Sequence, residues 1–239
     1  MKTIKRKIIA LGLICLALAS PSAHASVVIN EILADPPSGP AGDANADGKT
    51  SSTQDEFIEL LNFGTSPMDL SGWIIADALK PRHIFPFGTA LSAFQYLVVF
   101  GGGQPNLPQI QYQVASEGTL GLNNTNEDVF LYDPSGNLID HLHYGAEGDK
   151  NQSLARSSEG EGTGFVLHST IPEAQGRIFS PGQSLDGQLR YTPPTDPEIP
   201  PTAVPELPVW LYAILGGIMI ALQRKERHKI YASAIRPPR

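Results

Sequence analysis

The sequence of 239 residues holds a single cysteine, Cys15. Cys15 lies in an N-terminal segment, residues 1–25, that has the features of a cleaved secretory signal. We therefore expect a mature protein without disulfides or thiol chemistry, although small exported domains often rely on disulfides. Its stability must then come from a packed core or from a bound metal ion.

The sequence also lacks a long segment of helical periodicity, an internal repeat and the common catalytic motifs. The patterns G-x-S-x-G, H-E-x-x-H and the Walker phosphate loop do not occur in it. It therefore carries no signature of a serine hydrolase, a zinc protease or a P-loop nucleotide hydrolase, and we predict no catalytic residue.

Basic residues are scarce in the middle of the chain. Residues Ser26–Val204 carry seven basic and 22 acidic side chains, a net charge of −15. Such a charge opposes contact with a phosphate backbone, so nucleic acid is not expected as a partner. It suits a protein that binds divalent cations or one that must stay soluble outside the cell.

Residues 1–25 match a secretory signal peptide. Four basic side chains precede the apolar run Ile8–Ala19, and Ala23 and Ala25 supply the small residues of a cleavage site. We expect cleavage after Ala25 and export across the inner membrane. An uncleaved N-terminal anchor is the alternative, but the apolar run is short for a membrane span.

The C-terminal part combines a spacer with a membrane segment. Residues 189–205 are a proline-rich linker, for which a polyproline-like conformation is expected. Residues 206–223 are predicted to form a transmembrane helix, followed by a basic cytoplasmic tail over residues 224–239. The apolar run Val209–Leu222 is shorter than the roughly 20 residues that usually span a bilayer. The membrane is thus an expected partner through this helix.

This C-terminal part resembles a bacterial PEP-CTERM sorting signal. The resemblance rests on the Val204-Pro205-Glu206 start, the short apolar helix and the basic end. It implies that a protease-transpeptidase of the exosortase type removes the signal and that the protein passes to the cell surface or extracellular matrix. Pro208 stands one position later than is usual in that family, and the tail to Arg239 is longer. A membrane anchor that is never cut, with the domain facing outward, is the alternative.

Apolar and alternating segments within residues 26–188 predict an all-β domain. Short spacings with frequent Gly and Pro favour an Ig-like β-sandwich over a barrel. We expect its core over residues 26–145 and a looser, loop-rich extension over residues 146–188 along the sandwich edge. The predicted strands are Val27–Leu33, Phe57–Leu61, Gly72–Ala76, His83–Phe85, Tyr96–Phe100, Asp128–Tyr132 and Leu138–Tyr144, the last two forming a hairpin.

Six short motifs of this domain resemble, in order, those of the lamin tail domain family. They are VINEI (Val28–Ile32), DEFIELLN (Asp55–Asn62), MDLSGW (Met68–Trp73), LVVFG (Leu97–Gly101), LGLN (Leu120–Asn123) and DHLHYG (Asp140–Gly145). The resemblance implies an Ig-like β-sandwich with Trp73 as a core anchor. In bacteria such domains are typically extracellular accessory modules, sometimes attached to nucleases or phosphatases, and no such partner domain is visible in this sequence.

The loop after the first predicted strand contains the pattern of a calcium site. Asp43, Asn45 and Asp47 stand at positions one, three and five of an EF-hand-like loop, and Gly48 allows the sharp turn at position six. The carbonyl oxygen of Lys49 serves position seven. Alternating hard oxygen ligands suit Ca²⁺, which is the predicted ion.

The end of this loop departs from the pattern. Position twelve is Gln54, so Asp55 or Glu56 completes the ligand shell only if the loop bulges. A polar Asn/Asp/Gly loop without metal is therefore the alternative. The full set of predicted metal ligands is Asp43, Asn45, Asp47, Lys49, Asp55 and Glu56.

A second candidate metal site involves His141 and His143, which lie two apart on a predicted strand and can point to one face beside Asp140. Few other histidines are present to act as a third ligand. The pattern therefore favours ordinary surface histidines over a transition-metal site.

Two functions remain open from the sequence. The first is an exported, non-catalytic binding or structural module that contacts extracellular proteins or polysaccharides and, at its C-terminal signal, a sorting enzyme. The alternative is a metal-dependent extracellular hydrolase of the nuclease or phosphoesterase type. In that alternative, Glu31 joins Asp43, Asn45 and Asp47 around a metal.

Overall fold

The computed structural model describes residues 26–190. These residues form twelve β-strands connected by short loops and four 3₁₀ turns. The strands are β1 (Val27–Leu33), β2 (Phe57–Asn62), β3 (Met68–Asp69), β4 (Ile74–Ala76), β5 (Pro81–Ile84), β6 (Ala90–Leu91), β7 (Tyr96–Phe100), β8 (Gln111–Val114), β9 (Glu127–Tyr132), β10 (Leu138–Tyr144), β11 (Leu154–Ser158) and β12 (Glu161–Leu167).

The strands assemble into two large sheets and one small ribbon. The six-stranded sheet has the order β12-β11-β1-β2-β7-β8, in which only the β7–β8 pair is parallel. The four-stranded sheet has the order β10-β9-β4-β5, and β3 pairs with β6 in the ribbon. The β1–β2 pair lies near the middle of the larger sheet, with two strands on either side.

The main hydrophobic core lies between the two sheets. Ile58 and Leu60 of β2 share one apolar cluster with Val129 and Leu131 of β9, and all four side chains are almost fully buried. Each large apolar side chain buried in this way contributes about 1.5–3 kcal/mol relative to an exposed one. Trp73 belongs to the same cluster, which confirms its predicted place in the core.

The opposite face of the six-stranded sheet is buried as well. Phe57 and Phe100 meet there edge to face with ring centroids 5.9 Å apart, and Phe179 adds a third ring 6.4 Å from Phe57. Every residue of β1 and of β2 is therefore buried. This is the pattern of central strands that other parts of the chain cover on both faces.

A charged pair ties the two sheets together at an irregularity of β1. The strand register shifts between Ile29 and Glu31, and β11 pairs with β1 only at Glu31 and Ile32. Asp140 accepts the Ile29 amide at 2.8 Å, while Arg156 donates to the Ile29 carbonyl at 2.7 Å. Arg156 and Asp140 also pair with each other at 2.7 Å, with 4% and 16% of their side chains exposed. The pair thus satisfies backbone groups that the sheet leaves without a strand partner.

The all-β sandwich predicted from the sequence is confirmed. Each of the seven predicted strands is present with bounds within two residues, including the hairpin of β9 and β10. The extension beyond residue 145 differs from its loop-rich prediction, because β11 and β12 continue the six-stranded sheet beside β1. Their Gly- and Ser-containing sequences have little strand pattern. The pairing of β11 with β1 and of β12 with β11 supplies the stabilisation that local preference does not.

Several predicted segments lie outside the described residues. They are the signal peptide (1–25), most of the proline-rich linker (189–205), the transmembrane helix (206–223) and the basic tail (224–239). Between residues 26 and 190, the helical turns are all too short to cross a membrane.

The bridge between the sheets leads to a first prediction. Arg156→Ala should lower the free energy of unfolding by up to about 3 kcal/mol, because it leaves the largely buried Asp140 without its counter-ion. Urea unfolding of the intact chain measures this change. The control is Lys150→Ala, which removes an exposed cation and should change stability by less than about 0.5 kcal/mol. Equal stability of the two variants would contradict the structural role of the bridge.

Candidate functional site

The predicted calcium loop lies between β1 and β2 and begins after the 3₁₀ turn Pro40–Gly42. Asp43 folds the chain back on itself: its Oδ1 accepts the amide of Asp47 at 3.1 Å, and its Oδ2 accepts the amide of Gly48 at 2.9 Å. Gly48 has a φ of 85°, in the left-handed region that glycine adopts without strain. The turn that the sequence assigned to Gly48 is therefore present.

Asn45 and Asp47 continue the same turn. Asn45 Oδ1 accepts the Asp47 amide at 3.0 Å, and Asp47 Oδ1 accepts the Lys49 amide at 2.9 Å. Asp47 Oδ2 also accepts the amide of Gln104 at 3.1 Å, which ties the loop to the segment after β7. The three predicted ligands at alternating positions thus lie together in one turn, and each accepts at least one backbone amide.

Gly103 allows this close approach between the two segments. A Cβ atom on Gly103 would lie 2.5 Å from Asn45 Nδ2 and 2.7 Å from Asp47 Oδ2, closer than atoms pack. An open polar depression with a volume of about 700 Å³ lies beside the contact. Its lining consists of Asp47, Lys49, Gln54, Gly103, Gln104, Pro105 and Asn106.

Asp55 closes the loop from the inside. Its side chain is fully buried, and its two oxygens accept the amides of Asn45 at 3.1 Å and Ser51 at 2.7 Å. Burial raises the pKa of the Asp55 carboxyl, and the nearby charges of Asp43 and Asp47 raise it further. Asp55 therefore lies close to the predicted ligands, with both of its oxygens already engaged by backbone amides.

Glu56 lies in a different environment. Its Oε2 accepts the amides of Gly121 at 3.0 Å and Leu122 at 3.3 Å, so the side chain holds the loop before β9 instead of the Asp43 turn. Burial raises the pKa of Glu56 to about 7, although those two hydrogen bonds oppose the shift. Among residues 26–190, no three His, Cys, Asp or Glu side chains are arranged to hold a metal ion.

The structure brings Asp128 to the histidine pair. His141 Nε2 and His143 Nδ1 lie 2.8 Å and 3.1 Å from the same oxygen of Asp128, on the exposed face of the four-stranded sheet. Hydrogen bonds from His141 and His143 lower the pKa of Asp128. Asp140, the neighbour in sequence, contacts Ile29 instead, because adjacent residues of a strand point to opposite faces.

Glu31, which the hydrolase alternative placed beside the Asp43 loop, lies in a separate buried cluster. Its Oε1 accepts the Ser153 hydroxyl at 2.6 Å, and its Oε2 accepts the Ser180 hydroxyl at 2.9 Å. His168 Nε2 lies 2.9 Å from the same Ser180 hydroxyl. A catalytic serine triad places the histidine between serine and acid. Here the serine lies between the histidine and the acid, and it is buried. This order of residues fits a hydrogen-bonded cluster that supports the fold and does not fit a catalytic triad.

Sequence reasoning missed this cluster because its members are far apart in the chain. Ser180 bonds to Glu31 across 149 positions. The one local signal was the pair of acids within apolar strands, Glu31 in VINEI and Glu59 in DEFIELLN, since charged residues are almost never fully buried unless they are paired.

A family model described as Lamin Tail Domain matches residues 20–146, more than half of the chain. The chain belongs to the lamin tail domain family. No curated protein matches it closely enough to serve as a relative. The match ends shortly after β10, whereas the sheet of this lamin tail domain continues through β11 and β12.

Proposed function

We propose that this lamin tail domain is an exported, non-catalytic module that is held at the membrane or sorted to the cell surface, where it binds extracellular proteins or polysaccharides. The observation that carries the proposal is the use of its buried acids. Glu31, Glu56 and Glu59 accept backbone amides from distant loops, and Asp55 accepts amides of its own loop. They hold the sandwich together and do not converge on a common open cleft.

The hydrolase alternative requires Glu31 and the Asp43 loop to share one metal. Glu31 is instead enclosed by Ser153 and Ser180, and the Asp43 turn is bonded to its own backbone and to Gln104. These separate sets of contacts favour the non-catalytic module.

The proposal predicts no turnover of nucleic acid, phosphoesters or glycans by the intact chain, with or without Ca²⁺. The assay uses a known nuclease, phosphatase and glycosidase as positive controls. Turnover that disappears in Asp47→Ala but persists in Asp133→Ala would establish the hydrolase instead, because Asp133 shapes an ordinary turn remote in sequence from the loop.

Export and sorting rest on the two ends of the sequence. The predicted signal peptide over residues 1–25 and the predicted helix over residues 206–223 support transport across a membrane followed by retention at it. The Val204-Pro205-Glu206 start supports removal of this helix by a sorting enzyme. Such a route delivers the acidic domain to the outside, where its charge keeps it soluble.

Intact-mass measurement of the protein recovered from its native host tests this route. Sorting predicts a mature form that begins at Ser26 and lacks the helix over residues 206–223. Recovery of a form that begins at Ser26 and ends at Arg239 would show that the helix is a permanent anchor. Retention of residues 1–25 would contradict export through a cleaved signal.

Calcium binding at the Asp43 turn completes the proposal. Ca²⁺ takes six to eight oxygen ligands, and a carboxylate oxygen that accepts one amide keeps a further lone pair. The residues that would hold the ion are Asp43, Asn45, Asp47 and the carbonyl of Lys49, with water for the remaining positions. Glu56 is left out of this set because Gly121 and Leu122 engage it elsewhere.

The calcium site predicts a rise in melting temperature. Ca²⁺ at about 100 times its Kd should stabilise the intact chain by about 2.7 kcal/mol, which corresponds to about 5–10 °C for a domain of this size. Asp43→Ala combined with Asp47→Ala should abolish the rise, whereas Asp133→Ala should retain it. Thermal melts with Ca²⁺ and with a chelator measure the difference, and identical wild-type melts would exclude the site.

A further inference from the structure

The end of the described chain covers the outer face of the six-stranded sheet. We name residues 178–188 the clasp. Phe179 of the clasp packs on Phe57, and Leu185 joins an apolar cluster with Ala155 and Ile171. Three backbone amides of the clasp each donate to a glutamate of the sheet or its β11–β12 turn: Ser180 to Glu31 at 3.0 Å, Gly182 to Glu59 at 2.7 Å and Leu185 to Glu159 at 2.8 Å.

The clasp therefore rests on a cluster of acids with little positive charge around it. Glu31 and Glu59 stand directly opposite each other in the β1–β2 register, and each is at most 1% exposed. Like charges in such a pair are destabilising. The titratable and charged groups that face the cluster are Glu31 on β1, Glu59 on β2, Tyr96 on β7, Glu159 in the β11–β12 turn, His168 after β12, Arg177 before the clasp and Asp186 within it.

The two basic side chains of this set, His168 and Arg177, offer limited compensation. His168 Nε2 lies 3.8 Å from Glu31 Oε2, and Arg177 donates to the carbonyl of Leu185, not to a carboxylate. The hydroxyl of Tyr96 is buried beside Glu159, yet it is the one buried side-chain polar atom between residues 26 and 190 without a well-formed hydrogen bond. The closed clasp thus encloses more acids than its surroundings neutralise.

The hydrogen bonds themselves require a bound proton. His168 Nδ1 lies 2.8 Å from the carbonyl of Arg177, which can only accept, so Nδ1 carries hydrogen. The Ser180 hydroxyl lies 2.9 Å from both His168 Nε2 and Glu31 Oε2, but a hydroxyl has one proton to donate. Both contacts are hydrogen bonds only if a further proton resides on His168 or on Glu31.

The electrostatics of the other two glutamates act in the same direction. Burial, together with the charge of Glu31, raises the pKa of Glu59 well above its ordinary value. Burial raises the pKa of Glu159 to about 7. A carboxyl whose pKa is higher in the folded state binds its proton more tightly there, so it favours the closed state below that pKa. This contribution is lost as the pH rises through the folded value.

We propose that the clasp is a proton-dependent closure, shut over the sheet while the glutamate cluster holds protons and released when a rise in pH ionises it. The strands beneath are joined by ladders of backbone hydrogen bonds, with one register shift between Ile29 and Glu31. At the start of the clasp, the carbonyl of Ile178 accepts the amide of Ser153 at 2.9 Å and its hydroxyl at 3.2 Å. Beyond Ile178, the clasp is held mainly through the glutamates, the contact between Ser180 and His168, and a few apolar contacts. Lifting it exposes the acids to water and so relieves the cost of burying negative charge.

Amide hydrogen exchange of the intact chain between pH 6 and pH 9 tests the closure. Protection factors, corrected for the intrinsic exchange rate at each pH, are compared for Ser180, Gly182 and Leu185 and for the amides of β7. Between pH 6 and pH 9, the protection factors of the clasp amides should fall by about tenfold or more relative to those of β7. The reason is that each carboxyl that releases its proton on opening changes the opening equilibrium by up to about tenfold per pH unit. A constant ratio, or an equal loss in β7, would overturn the proposal.

Two matched variants locate the proton. Glu59→Gln keeps an oxygen for the Gly182 amide but carries no charge, so it should remove most of the pH-dependent loss. Glu117→Gln, which changes an exposed carboxylate paired with Lys80, should leave the loss unchanged. A full loss in Glu59→Gln would overturn the role of the cluster. If that variant does not fold, the wild-type comparison with β7 decides the question alone.

Discussion

Burial of β1 and β2 on both faces is the constraint on which the rest of this structure depends. A central strand covered on both sides must find a partner for each polar side chain it carries, because a buried polar group without one is costly. Asn30, Glu31, Glu59 and Asn62 all lie on these two strands and are buried. Most of their partners come from other segments, so the strands fix those segments in place: Asn62 Nδ2, for instance, donates to the carbonyl of Leu91 in β6 and to that of Ser92 in the loop after it.

The strands of the sandwich were visible in the sequence where local pattern and tertiary packing agree. Tyr96–Phe100 is a continuous apolar run and became β7, and the turn residues between β9 and β10 marked their hairpin. β11 and β12 were missed because Leu154–Ser158 and Glu161–Leu167 contain Arg, Ser and Gly in place of a strand pattern. β11 pairs with β1 across more than 120 positions of sequence, and no local signal encodes that pairing; β12 then pairs with β11.

In the candidate site, too, contacts between residues close in sequence could be predicted, and contacts between distant residues could not. Asp43, Asn45 and Asp47 were placed correctly in one turn because their hydrogen bonds span five residues or fewer. Glu56 follows one position after Asp55 but bonds to Gly121, 65 residues away, and only the assembled sandwich reveals this contact. The glutamate cluster forms only when β1 pairs with β2 and the clasp packs over them. The sequence therefore shows the individual acids but not that they lie close together in the fold.

The extent of the six-stranded sheet has a consequence for the exposed edge that β1 would otherwise form. The family match stops at residue 146, yet the neighbour of β1 opposite β2 is β11, which begins at Leu154. Without that neighbour, the apolar strand Val27–Leu33 would form a bare sheet edge, and unpaired edges are templates for aggregation between chains. Residues 147–190 therefore cover this edge of the sheet, and the stretch of chain that completes the sheet is longer than the stretch that the family model matches.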